Sequence, residues 1–158
     1  MHHHHRRGLD RSEPAPTLLH VDLFVSSMKR SLAFYVGVMG LRVVDDGPIE
    51  GELVRLLSAG RYSRARLVLL EAGASEAKVE LLEFHGIAAG DPLLRPNRGT
   101  LTFFVEDLAA EVRRLHANGV ETKSPIIDVE LPMSGRSSIV LLSDPDGHHL
   151  ELLQAHAR

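Results

Sequence analysis

From Leu18 onward apolar and polar positions alternate. Leu19, Val21, Leu23 and Val25 fall on one side of an extended chain, and His20, Asp22 and Phe24 on the other. That period of two predicts a half-buried strand with one aliphatic face. Ser26 and Ser27 then offer a helix cap, and Met28, Leu32, Tyr35, Val36 and Met39 recur at helical spacing until Gly40 supplies a left-handed stop. Leu41 to Val44 read as a short strand, and "DDGP" (45–48) as a turn. Leu53, Val54, Leu56 and Leu57 suit a short amphipathic helix, which we read as a candidate lid. "ARLVLLEA" (65–72) and "KVELLEF" (78–84) complete a β-α-β-β-β unit as two strands joined by a Gly- and Ser-containing connection.

The order then begins again. "GTLTFFVED" (99–107) alternates Leu101, Phe103 and Val105 against Thr100, Thr102 and Phe104. Asp107 can cap a helix carrying Leu108, Val112 and Leu115, and Gly119 stops it. Strands follow at "VETKSPII" (120–127), "SIVLLSD" (138–144) and "HLELLQ" (149–154), with a polar loop after the first and the turn "DPDG" (144–147) before the last. Aligning the halves pairs His20 with Thr100 and Glu80 with Glu151, the extra residues in the first half being the candidate lid helix.

If the helices cover the aliphatic faces, strand period alone assembles the other face. It carries His20, Asp22 and Phe24; Glu80, Leu82 and Phe84; Thr100, Thr102 and Phe104; His149, Glu151 and Leu153. Taken singly, each polar residue is what the wet side of an antiparallel sheet ordinarily displays. Ligand-type residues at repeat-equivalent positions ask for more. Carboxylates and imidazoles among apolar neighbours need solvent, mutual hydrogen bonds or a cation, and a metal ion is the economical answer.

Composition narrows the chemistry. The 158 residues include no Cys, so disulfides, thiolate metal sites and thiol nucleophiles are excluded. A net charge of −3 and 4% aromatic residues argue against a nucleic-acid surface, and no apolar run reaches the roughly 20 residues of a membrane helix. The expectation is a cytoplasmic protein with a small-molecule ligand. His2 to His5 resemble a purification tag and are excluded from functional reasoning; residues 1–16 read as a disordered arm. His85, His116 and His156 are assigned no chemistry, Tyr35 is assigned to packing, and the Asp residues of "DPDG" to backbone bonding.

The phrases "HVDLFVSSMKRSLAFYVGVMGLRVV", "VELLEF", "LTFFVEDL" and "DPDGHHLELLQ", in that order across about residues 17–155, resemble the vicinal oxygen chelate superfamily. This is the glyoxalase, bleomycin-resistance and extradiol-dioxygenase group. The resemblance implies an α+β domain over 17–155, in which two tandem βαβββ modules (17–86 and 99–155, linker 87–98) form a curved mixed sheet around a cavity, usually in a homodimer. In metal-binding relatives the ligands come from the first and fourth strands of each module, here His20, Glu80, Thr100 and Glu151. Thr100 departs from the pattern, because a His is general there and a hydroxyl is a weak ligand.

Three arrangements stay open: a divalent metal (Zn, Ni, Co, Mn or Fe) held by His20, Glu80, Glu151 and water; a site in which His149 replaces the imidazole missing at Thr100; or no metal. For a metal-bound relative the family implies capture of vicinal substrate oxygens and proton transfer through an enolate-like intermediate, in a lyase or isomerase of glyoxalase or epimerase type. Glu80 and Glu151 are then the catalytic carboxylates. Asp22, Phe24, Leu82, Thr100, Thr102, Phe104 and His149 would line the substrate site, with Asp22 free to orient His20. The competing readings are a metal-free module that binds a small molecule or antibiotic in the same cavity and, less favoured, a ring-cleaving dioxygenase.

Overall fold

Eight strands and three α-helices make up the computed structural model, which describes residues 15–156. Strand β1 (His20–Phe24) leads into α1 (Met28–Leu32), which widens into a π-helical stretch over Ala33–Val38. The widening is visible in the Met39 N–H, which reaches back five residues to the Phe34 carbonyl at 2.8 Å. Phe34 and Tyr35 are both buried in this stretch. Strand β2 (Arg42–Glu50), helix α2 (Glu52–Leu57), β3 (Arg64–Glu71) and β4 (Lys78–Phe84) complete the first module. The second contains β5 (Leu101–Phe104), α3 (Leu108–Ala117), β6 (Ile127–Leu131), β7 (Gly135–Ser143) and β8 (His149–Ala155).

The strands divide into two four-stranded mixed sheets of identical order, β1-β4-β3-β2 and β5-β8-β7-β6, each with its first and fourth strands parallel. The repeat extends to single hydrogen bonds. Ser27 Oγ and Asp107 Oδ1 cap their helices at Arg30 and Ala110; Glu83 and Gln154 each accept the first helical N–H, from Met28 and Leu108. The Val25 and Val105 N–H groups donate to Leu82 and Leu153 carbonyls at 3.0 and 2.9 Å. One shared core, including Leu23, Met28, Tyr35, Leu70 and Leu81 from the first half and Leu108, Leu115, Val140, Leu142 and Leu152 from the second, joins the modules. Each such side chain, fully buried, contributes roughly 1.5–3 kcal/mol.

Polar groups fasten the same junction. The Tyr35 hydroxyl donates to Asp144 at 2.7 Å, and Asp146 accepts the Ser26 N–H at 3.1 Å. His148 is held between the Asn97 N–H and the Phe24 carbonyl. The "DPDG" aspartates do bond backbone, as expected, and Asp144 also binds the buried Tyr35, a packing residue with a polar tip. Burial and the Asp144 charge drive that phenol's pKa far upward, so it stays a donor.

Three sequence expectations are corrected. "DDGP" is not a turn but the middle of β2: Gly47 lacks positive φ, Pro48 sits on an edge strand that needs no N–H, and Asp46 pairs with Arg66 across the ladder. The strand expected over 120–127 forms at 127–131 instead. Pro125 cannot donate to a ladder, and the hairpin closes through 132–134, where Gly135 adopts φ +66°. Strand β5 spans only Leu101–Phe104, so Thr100 precedes it. The arm expected over residues 1–16 lies almost wholly outside the described residues. Among those described, no helix is long and apolar enough to cross a membrane.

Candidate metal centre

Strand alternation puts His20 and Asp22 on one face of β1, and the parallel register sets Asp22 directly across from Glu80 on β4. His20 Nε2 lies 3.0 Å from Asp22 Oδ1 and 3.5 Å from Glu80 Oε2. One donor atom from each residue falls within 4.8 Å of the other two. Donors bound to one divalent ion at about 2.1 Å stand roughly 3.0 Å apart at right angles and roughly 3.4 Å apart tetrahedrally. The two His20 distances fall close to these spacings, and one imidazole with two carboxylates is a donor set suited to a divalent cation.

The electrostatics agree. Burial, followed by the charge of Asp22 and a hydrogen bond with it, pushes the Glu80 carboxyl up to about 7. Two acids this close cannot both ionise cheaply without a counter-charge, which His20 supplies only in part.

The remaining candidates are distributed otherwise. Glu151 lies on β8, opposite Thr102 on β5, the register equivalent of Glu80 opposite Asp22. It is partly exposed and stands outside the donor group of its own chain. The second module thus repeats the position without closing it: Thr100 and Thr102 are exposed, as is His149, whose backbone N–H bonds Asn97. Phe104 is 67% exposed. On the first module Leu82 is only 1% exposed, and Phe24 packs edge-on against Phe84 with ring centroids 5.0 Å apart. Leu82 is therefore sealed and presents no surface to a ligand, contrary to its reading as a lining residue.

The seal is made by α2 and the segment that follows β4. Val54 is fully buried, and Leu57, Tyr62, Ile87 and Leu93 pack with it over Leu82 and Phe84. The candidate lid is thus part of a fixed cover, with Leu53 and Leu56 turned outward. Asp91 anchors it. Its carboxylate receives both terminal nitrogens of Arg61, the Leu93 N–H and the Tyr62 hydroxyl, and these hold it down at about 2. This anchor was invisible in the sequence, since Arg61 and Asp91 are 30 residues apart in irregular segments. A groove of about 1100 Å³ runs between the modules beside Val21, Leu41, Lys78, Phe103 and Phe104, and His20, Asp22 and Glu80 are not among the residues lining it.

A two-module α+β fold with an imidazole and acids on its first and fourth strands defines the class. Residues 17–152 match the model of the Glyoxalase/Bleomycin resistance protein/Dioxygenase superfamily, and the chain belongs to it. It is similar to the lactoylglutathione lyase of Salmonella typhimurium, 28% identical over 141 residues, 87% of this chain and 92% of that protein. Among solved structures it resembles a glyoxalase family protein from Bacillus cereus, with a TM-score of 0.71 at 18% identity, covering 92% of this chain and 98% of that one. It also resembles a fosfomycin resistance protein from Listeria monocytogenes complexed with Mn(II), with a TM-score of 0.58 at 19% identity, covering 89% and 93%.

Proposed function

We propose that the protein is a divalent-metal-dependent enzyme of the glyoxalase type, a lyase or isomerase that moves a proton on a small molecule with neighbouring oxygens. The observation that carries this reading is the approach of His20 to Glu80, at 3.5 Å, from the first and fourth strands of one module. The lyase named for the Salmonella relative and the Mn(II) in the Listeria structure point the same way.

In this reading His20, Glu80 and Glu151 would hold the ion, and the ion supplies Lewis acidity for the negative charge that develops beside a carbonyl. Glu151 serves as the proton carrier. Because it stands outside the donor group of its own chain, this reading requires a homodimer in which the open sheet of one protomer covers the donor-bearing sheet of its partner. Phe104, 67% exposed on that open sheet, belongs to the surface such an association would cover.

Lactoylglutathione is a direct probe. Metal-loaded protein with His2 to His5 replaced should exchange solvent deuterium into the carbon beside the thioester, and Glu151→Gln should lower that exchange by about 100-fold or more while leaving the melting temperature unchanged. Stoichiometric metal with no exchange on this or related 2-hydroxy thioesters and ketones would overturn the enzymatic reading. A fully active Glu151→Gln protein would remove Glu151 from the mechanism.

A further inference from the structure

Resting on that metal-dependent reading, we propose that Asp22 is itself a metal ligand, so that the first module supplies three donors, His20, Asp22 and Glu80, and replaces the imidazole absent at Thr100. The argument begins with the repeat. Thr100 matches His20, and Thr102, opposite Glu151, matches Asp22 opposite Glu80. Neither hydroxyl is a good ligand for a divalent metal. The second module is thus left with one strong donor, and a third from the first module restores a workable set.

Asp22 meets the geometric requirement. Its Oδ1 is the nearest carboxylate oxygen to His20 Nε2, at 3.0 Å against 3.5 Å for Glu80. A carboxylate that merely oriented a coordinating ring would be expected at the ring's other nitrogen, away from the coordinating atom. Asp22 and Glu80 instead both approach Nε2. The side chain of Glu80 is 10% exposed and that of Asp22 32%, so the group is closed on the Glu80 side and reached by solvent at Asp22. The resulting set has one nitrogen and at least three oxygens once Glu151 is added. It is harder than a site with two imidazoles and shifts selectivity toward Mn²⁺ relative to Zn²⁺.

The test uses the full chain with His2 to His5 replaced by serine, titrated with Mn²⁺ in a calorimeter. Asp22→Asn should weaken binding by more than about 100-fold, beyond the 10- to 100-fold that loss of an outer partner costs. Asp22→Glu, which keeps the carboxylate, should recover part of that loss. Pulsed electron paramagnetic resonance of bound Mn²⁺ should show a single nitrogen coupling. In protein carrying ¹³C-carboxyl aspartate it should also show a carbon coupling that disappears in Asp22→Asn.

Unchanged affinity and an unchanged carbon signal in folded Asp22→Asn would overturn the assignment while leaving His20 and Glu80 as ligands. Two nitrogen couplings would overturn it in favour of His149. Absence of Mn²⁺ and Zn²⁺ binding by the unsubstituted protein would instead sink the metal-dependent reading itself.

Discussion

The two sheets share strand order, capping bonds and register, yet their outer faces differ. On the first, α2 and the segment held by Asp91 bury Leu82 and Phe84; on the second, nothing among the described residues covers Thr102 and Phe104. The lesson is that the sheet sets where side chains point, while inserted segments decide what becomes of them. Glu80 and Glu151 occupy the same place in their modules, but only Glu80 is buried and gathered with other ligands.

The sharpest way to expose this contrast is to cut the same residue from both modules. Leu82 and Leu153 are repeat equivalents, each two positions beyond its glutamate. Leu82→Ala should destabilise the chain by about 2–5 kcal/mol, whereas Leu153→Ala, at a half-exposed position, should cost about 1 kcal/mol or less in urea titrations of dilute protein. Equal losses would mean that the cover adds nothing to the packing beneath it.

A second substitution addresses the open face. In the homodimer proposed above, Phe104→Ser should weaken association by about 2 kcal/mol, roughly 30-fold in Kd by analytical ultracentrifugation, while shifting monomer stability by no more than about 0.5 kcal/mol; an unchanged Kd, or no dimer at all, would overturn that arrangement. The smallest effect concerns the anchor of the cover. Because Asp91 has a folded pKa below its unfolded value, its stabilisation is present above the ordinary carboxylate range and is lost as pH falls toward about 2. Asp91→Asn should therefore lower the melting temperature by a constant amount above pH 5, and the two profiles should converge as pH falls from 4 toward 2.

The architecture was largely legible, because period-two runs and paired helix caps survive in the sequence at Leu19 to Val25 and Leu101 to Val105. The pairing of Glu80 with Glu151 followed from the same repeat and agrees with the observed register. What could not be read depended on neighbours far along the chain. Gly47 and Pro48 signal a turn in isolation, and only the Asp46–Arg66 pair and an edge position make them strand. Asp22 shared a face with His20 in any strand, but its position opposite Glu80 required the parallel register. The spacing of Glu151 from the other donors is likewise a property of how two sheets are set against each other, which no single strand encodes.

The clasp at the "DPDG" turn has a consequence for how the molecule could be divided. Ser26 and Tyr35 on one side and Asp144 and Asp146 on the other are complementary adhesive groups carried by different halves of the polypeptide. A backbone opened near Arg98, beyond the cover and ahead of β5, leaves each fragment with its own complete sheet and its share of the fastener. Two separately expressed pieces should therefore find one another and rebuild the whole, as in split-reporter complementation.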